Sequence, residues 1–234
     1  MTAIVLFMAA IAAIAAWWLS QQRLADKPWL EQGVIDDHRS VGASFLPAAK
    51  IGLGVFLAVV GSLFALFVSA YTMRMALIDW RALPVPPLLW FNTLVLILSS
   101  AALQWAQSAA RRDKRDDVLT GLLAGSTSAI VFLIGQLLAW QQLNAEGYFL
   151  TANPANAFFY LLTAAHGLHL LGGLVALGRT TAKAWRGVEI ARLRLSVELC
   201  TMYWHFLLLV WLILLALLTG WADDFVALCR QLLS

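Results

Sequence analysis

Charge is scarce in this 234-residue chain: sixteen Lys and Arg and thirteen Asp and Glu make up 12% of it. That is about half the share of an average soluble domain. The scarcity is local. Six segments, 2–19, 51–78, 88–110, 118–143, 158–178 and 196–221, contain between them only Arg74 and Glu198 as charged residues. Cysteine is nearly absent as well. Cys200 and Cys229 stand alone, with no CxxC spacing, which excludes a disulfide scaffold and a cysteine-rich metal site. There is no phosphate-binding loop, nucleophile elbow, HExxH or dinucleotide glycine motif. A water-soluble enzyme would not segregate charge this sharply. The net charge of +3 does not signal a nucleic-acid partner either, because the basic residues sit in particular loops, where they read as orientation signals.

What the chain has is apolar length. Hydrophobic residues are 62% of it, and a helical bilayer crossing needs about 20 in a row. The sequence therefore predicts an all-α, polytopic membrane helix bundle of six transmembrane helices in a 1 + 5 arrangement. An N-terminal helix and cytoplasmic linker occupy 1–50, a five-helix core 51–221 and an outer tail 222–234. Segment 2–19 has no positively charged residue before its apolar run, so it reads as a retained helix rather than a cleaved signal peptide.

Orientation follows from the basic residues. Loop 20–50 holds Arg23, Lys27, Arg39 and Lys50. Loop 111–117 holds Arg111, Arg112, Lys114 and Arg115, and loop 179–195 holds Arg179, Lys183, Arg186, Arg192 and Arg194. Only Arg74, Arg81 and Arg230 lie elsewhere. The positive-inside rule places those three loops in the cytoplasm and both termini outside. Cys200 and Cys229 then lie on opposite sides of the membrane and cannot pair. Trp80, Trp90, Tyr148, Phe149, Phe158, Tyr160 and Trp221 fall at outer helix ends, and Trp17, Trp18, Trp105 and Trp185 at inner ends, as interfacial aromatic belts require. Segment 51–78 is long for one crossing, so Tyr71 and Arg74 are expected at the outer interface, with Arg74 snorkelling. Pro84, Pro86 and Pro87 break the chain before the next helix.

Small residues predict close helix contacts. Gly121 and Gly125 form a GxxxG pair with Ala129 on the same face, and Gly167, Gly172 and Gly173 thin the fifth segment. His166, His169 and His205 are intramembrane, where ionisable groups are functional candidates. Helix rise puts His169 and His205 at one depth on antiparallel neighbours, so the two could face each other. That geometry permits a bis-histidine haem site. A metal site would need further ligands, and no carboxylate lies at that depth. The third reading makes all three hydrogen-bonded packing groups, and it is preferred because only one such pair exists. Glu198 either snorkels at the inner surface or pairs with Arg194 one turn earlier. Thr120, Ser126, Thr127, Ser128, Gln136, Gln141 and Gln142 line a cavity or hydrogen-bond between helices.

Two blocks say more. Phe158-Phe159-Tyr160-Leu161-Leu162-Thr163-Ala164-Ala165-His166-Gly167-Leu168-His169-Leu170-Leu171-Gly172-Gly173-Leu174 closely resembles a signature of haem–copper (cytochrome c) oxidase subunit III. So does Val197-Glu198-Leu199 followed by Tyr203-Trp204-His205-Phe206 and Val210-Trp211. Gly135 to Trp140 and the run from Ser69 to Arg81 are supportive. The resemblance covers about 51–221 and fits the short bacterial five-helix form with one extra N-terminal helix.

It implies a non-catalytic subunit of a bacterial terminal respiratory oxidase in the inner membrane. Haem and copper sit in partner subunits I and II, with subunit I the main contact, and this chain carries no catalytic, cofactor or metal residue. Assembly, phospholipid binding and support of proton uptake are the implied roles. His166, His169, Gly172, Gly173, Glu198, Tyr203, Trp204, His205 and Trp211 become packing, lipid or interface residues. Two intramembrane carboxylates common in the family are missing: His205-Phe206 is followed by Leu207-Leu208, and Phe56-Leu57-Ala58 by Val59-Val60. A subunit III-like accessory protein of nitric oxide reductase is the sister reading. A small membrane transporter is less favoured, because no internal repeat or interrupted helix is visible.

Overall fold

The computed structural model describes residues 48–81 and 83–220. Five α-helices fill them: α1 Ala48–Met75, α2 Leu88–Arg111, α3 Arg115–Ala145, α4 Pro154–Trp185 and α5 Ile190–Leu218. There is no strand among the described residues. All five helices are long and apolar enough to cross a membrane. The expected sixth helix, 2–19, lies outside the described residues, as do the tail 222–234, Cys229, Trp17, Trp18 and Trp221.

The helices run well past the apolar segments at one end. The loop expected at 179–195 contracts to 186–189, because α4 continues to Trp185 and α5 begins at Ile190. Arg179, Lys183, Arg192 and Arg194 are therefore helical. Lys and Arg are good helix formers, and at this end two arginine heads find partners on neighbouring helices. Arg115 donates to Ala184 O at 2.8 Å. Arg194 donates to Ala110 O at 3.0 Å and to Asp113 at 2.7 Å. Both arginines add a donor to a carbonyl in the last turn of a helix, where a cation is also favoured by the helix dipole. This basic end gathers the starts of α1, α3 and α5 and the ends of α2 and α4, so neighbours in sequence run antiparallel.

At the opposite end α1 stops at Met75, three residues short of its apolar run. Arg74 does not extend alone toward water: it grips Asp79 through both terminal nitrogens, which folds the chain into a turn. Tyr71 is buried and packs edge-on to Trp80 and Phe158. Pro87 precedes α2, and Asn153 caps α4 through Ala155 N while its amide reaches Arg81 O at 2.6 Å.

Helices α2 to α5 form the packed core, with Trp204, Trp211, Phe132 and Phe159 fully buried. The closest approach is α2 on α3. A Cβ on Gly121 would stand 2.8 Å from the Ala106 Cβ and 2.9 Å from Ala102 O; one on Gly125 would stand 2.8 Å from Leu103. Ala129 continues that buried face, and at Gly135 the Asn92 amide fills the space a Cβ would take. Helix α1 is different. Only 11% of its most apolar window is buried, against 50% for α5. It leans on α4 and α5 through Val60, Phe64 and Tyr71.

Candidate functional site

Helix α5 carries the densest set of functional candidates, and most of them point to α2. Trp204 donates its indole N–H to Ser99 Oγ at 2.9 Å, and Trp211 does the same to Thr93 Oγ1 at 2.9 Å. The two indoles sit seven residues apart on α5 and meet hydroxyls six apart on α2. Ser99 in turn donates its hydroxyl O–H to Gly125 O on α3 at 2.8 Å, which joins three helices through one hydroxyl. Thr201 reaches Leu103 O at 3.2 Å. Tyr203 turns the other way and donates to His169 O on α4 at 2.8 Å.

The three histidines separate. His166 is fully buried in an aromatic shell, 5.2 Å from the Trp211 ring centroid, 5.9 Å from Phe132 and 6.4 Å from Phe64. His169 Nδ1 donates to Ala165 O one turn back at 2.7 Å and its ring packs on Phe64. His205 is exposed and bonds α2: its Nδ1 accepts from Ser100 Oγ and its Nε2 donates to Gln104 Oε1 at 2.9 Å. The facing pair of His169 and His205 is not formed. Two residues along a helix turn the side chain by about 200°, so the face that shows Tyr203 to α4 shows His205 to α2. Among the described residues no group of three or more His, Cys, Asp or Glu is placed to hold a metal ion.

Glu198 pairs with Lys50 at the start of α1, 2.6 Å away, and not with Arg194, which is held by Asp113 and Ala110. Of the polar residues on α3, Gln136 contacts Asn92 across the α2–α3 interface at 3.5 Å, whereas Thr120 and Ser126 bond carbonyls of their own helix.

Between α1, α4 and α5 lies an apolar cleft of about 410 Å³, lined by Leu53 and Phe56, by His169, Gly172 and Gly173, and by Cys200 and Tyr203 among others. The two adjacent glycines differ. A Cβ on Gly173 would strike the Tyr203 and Trp204 rings, while Gly172 has nothing within 4 Å. Gly173 thus seats α5, and Gly172 lies open at the cleft wall.

The α2 partners Asn92, Thr93, Ser99, Ser100 and Gln104 were not singled out by the sequence reading. For all of them but Gln104 the signal was present. Residues 92, 99 and 93, 100, 107 are polar positions repeating every seven residues in an apolar run, the spacing of one helix face.

Fold and site together define a multi-pass membrane helix bundle in which Trp204, Trp211, Ser99 and Thr201 hydrogen-bond helix to helix, whereas His166, expected to be hydrogen-bonded, has no partner for either ring nitrogen among the described residues. The chain belongs to the cytochrome c oxidase subunit III family: residues 50–223 match that family's sequence model, a stretch that takes in nearly all of the five helices. Similar proteins include cytochrome c oxidase subunit 3 of Thermostichus vulcanus, 33% identical over 128 residues, covering 54% of this chain and 62% of that protein. The probable cytochrome c oxidase subunit 3 of Mycobacterium tuberculosis (strain ATCC 25618 / H37Rv) is 31% identical over 144 residues, covering 58% and 63%. Cytochrome c oxidase subunit 3 of Yarrowia lipolytica is 28% identical over 130 residues, covering 56% and 47%. The chain therefore matches less than two thirds of the length of each of these relatives.

Proposed function

We propose that this chain is the non-catalytic subunit III of a bacterial terminal respiratory oxidase, which reduces oxygen and pumps protons. Haem and copper reside in partner subunits I and II, and subunit I is the main contact. The observation that carries this reading is the family match over 50–223, coextensive with the helical core. The destination of the polar groups supports it. Trp204, Trp211, Tyr203 and His205 each spend a hydrogen bond on a neighbouring helix.

The chain acts in assembly, lipid binding and support of proton uptake. For lipid, the support is the cleft between α1, α4 and α5. Its lining is mostly apolar, which suits acyl chains. For proton uptake, Val59-Val60 and Leu207-Leu208 stand where the family often has carboxylates, so support comes through packing against subunit I and not through a titrating group in those positions. The gathering of basic residues at one end of the bundle supports reading that end as the cytoplasmic one. The protein then sits in the inner membrane with both termini periplasmic.

Deletion of the chain tests these roles. Membranes from a deletion strain are expected to hold less assembled oxidase, with a shorter catalytic lifetime per haem but the same initial oxygen reduction per haem. Unchanged assembly and unchanged lifetime would contradict the reading. Phospholipid retained at fixed stoichiometry by the purified complex, and lost on Gly172→Trp, supports the lipid role.

A further inference from the structure

The wall of the cleft between α1, α4 and α5 carries four polar side chains, those of His169, Cys200, Tyr203 and Trp204. Every donor among them is used inside the protein. Ala165 O can only accept, so His169 Nδ1 holds the proton of the neutral imidazole and donates it at 2.7 Å. Tyr203 donates its O–H to His169 O at 2.8 Å, and Trp204 its N–H to Ser99 Oγ at 2.9 Å. Thr180 donates its hydroxyl to Ala176 O at 3.0 Å, so its oxygen accepts from the Cys200 thiol at 3.6 Å. The cleft wall is left with acceptors. The foremost is His169 Nε2, which has no partner among the described residues. The second is the Tyr203 oxygen, which keeps lone pairs of its own.

Depth decides what can reach them. His169 lies midway along α4, about 23 Å from either end by helix rise. Lipid headgroups stop roughly 15 Å short of the middle of the hydrocarbon core. Acyl chains suit the apolar walls but carry no N–H or O–H, and an acceptor left bare in hydrocarbon is unfavourable. A mostly apolar cleft of about 410 Å³ with a few placed polar groups has the size and make-up of a small-ligand site. The geometry points to a binding site for an apolar, membrane-soluble molecule with a hydroxyl group, which donates that hydroxyl to His169 Nε2. Long-chain alcohols and prenylated hydroquinones share this chemistry.

The site rests on the lipid-binding reading of the same cleft, and the test separates the two. The purified complex in phosphatidylcholine nanodiscs is given hexadecanol, a prenylated hydroquinone, or the methyl ethers of either. Bound molecules per chain are counted by native mass spectrometry. The ethers keep the apolar body and lose the donor. At least one hydroxyl compound is expected to be retained several-fold above its ether, and which one it is names the source. His169→Phe is expected to abolish the difference between hydroxyl and ether, His169→Gln to restore part of it through its carbonyl oxygen, and Gly172→Trp to block retention of all four compounds. Equal retention of hydroxyl compounds and ethers, lost on Gly172→Trp, overturns the hydroxyl site and leaves the lipid reading standing. A hydroxyl preference that survives both His169→Phe and Gly172→Trp overturns the assignment to this cleft. No retention of any compound overturns both.

Discussion

Trp211 on α5 donates its indole N–H to the Thr93 hydroxyl on α2 at 2.9 Å, while its ring lies 5.2 Å from that of His166 and 4.9 Å from that of Phe132. One side chain thereby touches α2, α3 and α4 together. Without a hydrophobic drive between helices in lipid, such packing and hydrogen bonds hold a bundle together.

Trp211→Phe removes the indole donor but keeps most of the ring. Thr93 still donates to Leu89 O, so no buried proton is stranded. The expected loss is about 0.5–1.5 kcal/mol. Trp211→Ala also opens a cavity and is expected to cost about 3–5 kcal/mol. Denaturant titration of the purified complex checks both, and equal losses for Phe and Ala would remove the packing argument.

Gly172 and Gly173 offer a paired test. Gly173→Ala pushes a methyl into the Tyr203 and Trp204 rings and is expected to destabilise by about 1–3 kcal/mol. Gly172→Ala meets open space and gains helix propensity, so it is expected to be neutral or stabilising by up to about 1 kcal/mol. The thermal midpoint of the complex ranks the two, and the reverse ranking would show that α5 is seated differently.

How much of this was readable in the sequence depended on the length scale. The five core spans show through because about 20 apolar residues in a row have few alternatives to crossing a membrane. The GxxxG pair on α3 was legible because close approach demands small residues wherever the partner lies. Pairings were not legible. Glu198 has Arg194 one turn away in sequence but finds Lys50, which is 148 residues distant. His169 and His205 share a depth but not a face, since depth follows from counting residues and facing depends on helix rotation.

The Lys50–Glu198 pair fastens the start of α1, the least buried helix, to α5. Both side chains are partly exposed, so the pair is expected to contribute under about 1 kcal/mol and to weaken with salt. Glu198→Gln and Lys50→Met should each lower the thermal midpoint slightly, and the double variant should lose less than the sum of the two. Strict additivity would mean that the two groups do not interact.

His205→Leu and His169→Leu change side chains assigned here to helix contacts and the cleft wall. Haem per complex, measured as the pyridine haemochrome, is expected to stay at the unsubstituted value for both. Stoichiometric loss of one haem with either variant would make that histidine a ligand.

On the proposed function, this chain serves an oxidase whose redox chemistry lies in other subunits. The most direct measurement is purification on a tagged copy in mild detergent, with mass spectrometry and a reduced-minus-oxidised spectrum of the eluate. Haem–copper subunits I and II, haem bands and oxygen reduction are expected in the eluate. A chain that elutes alone and colourless would contradict that function.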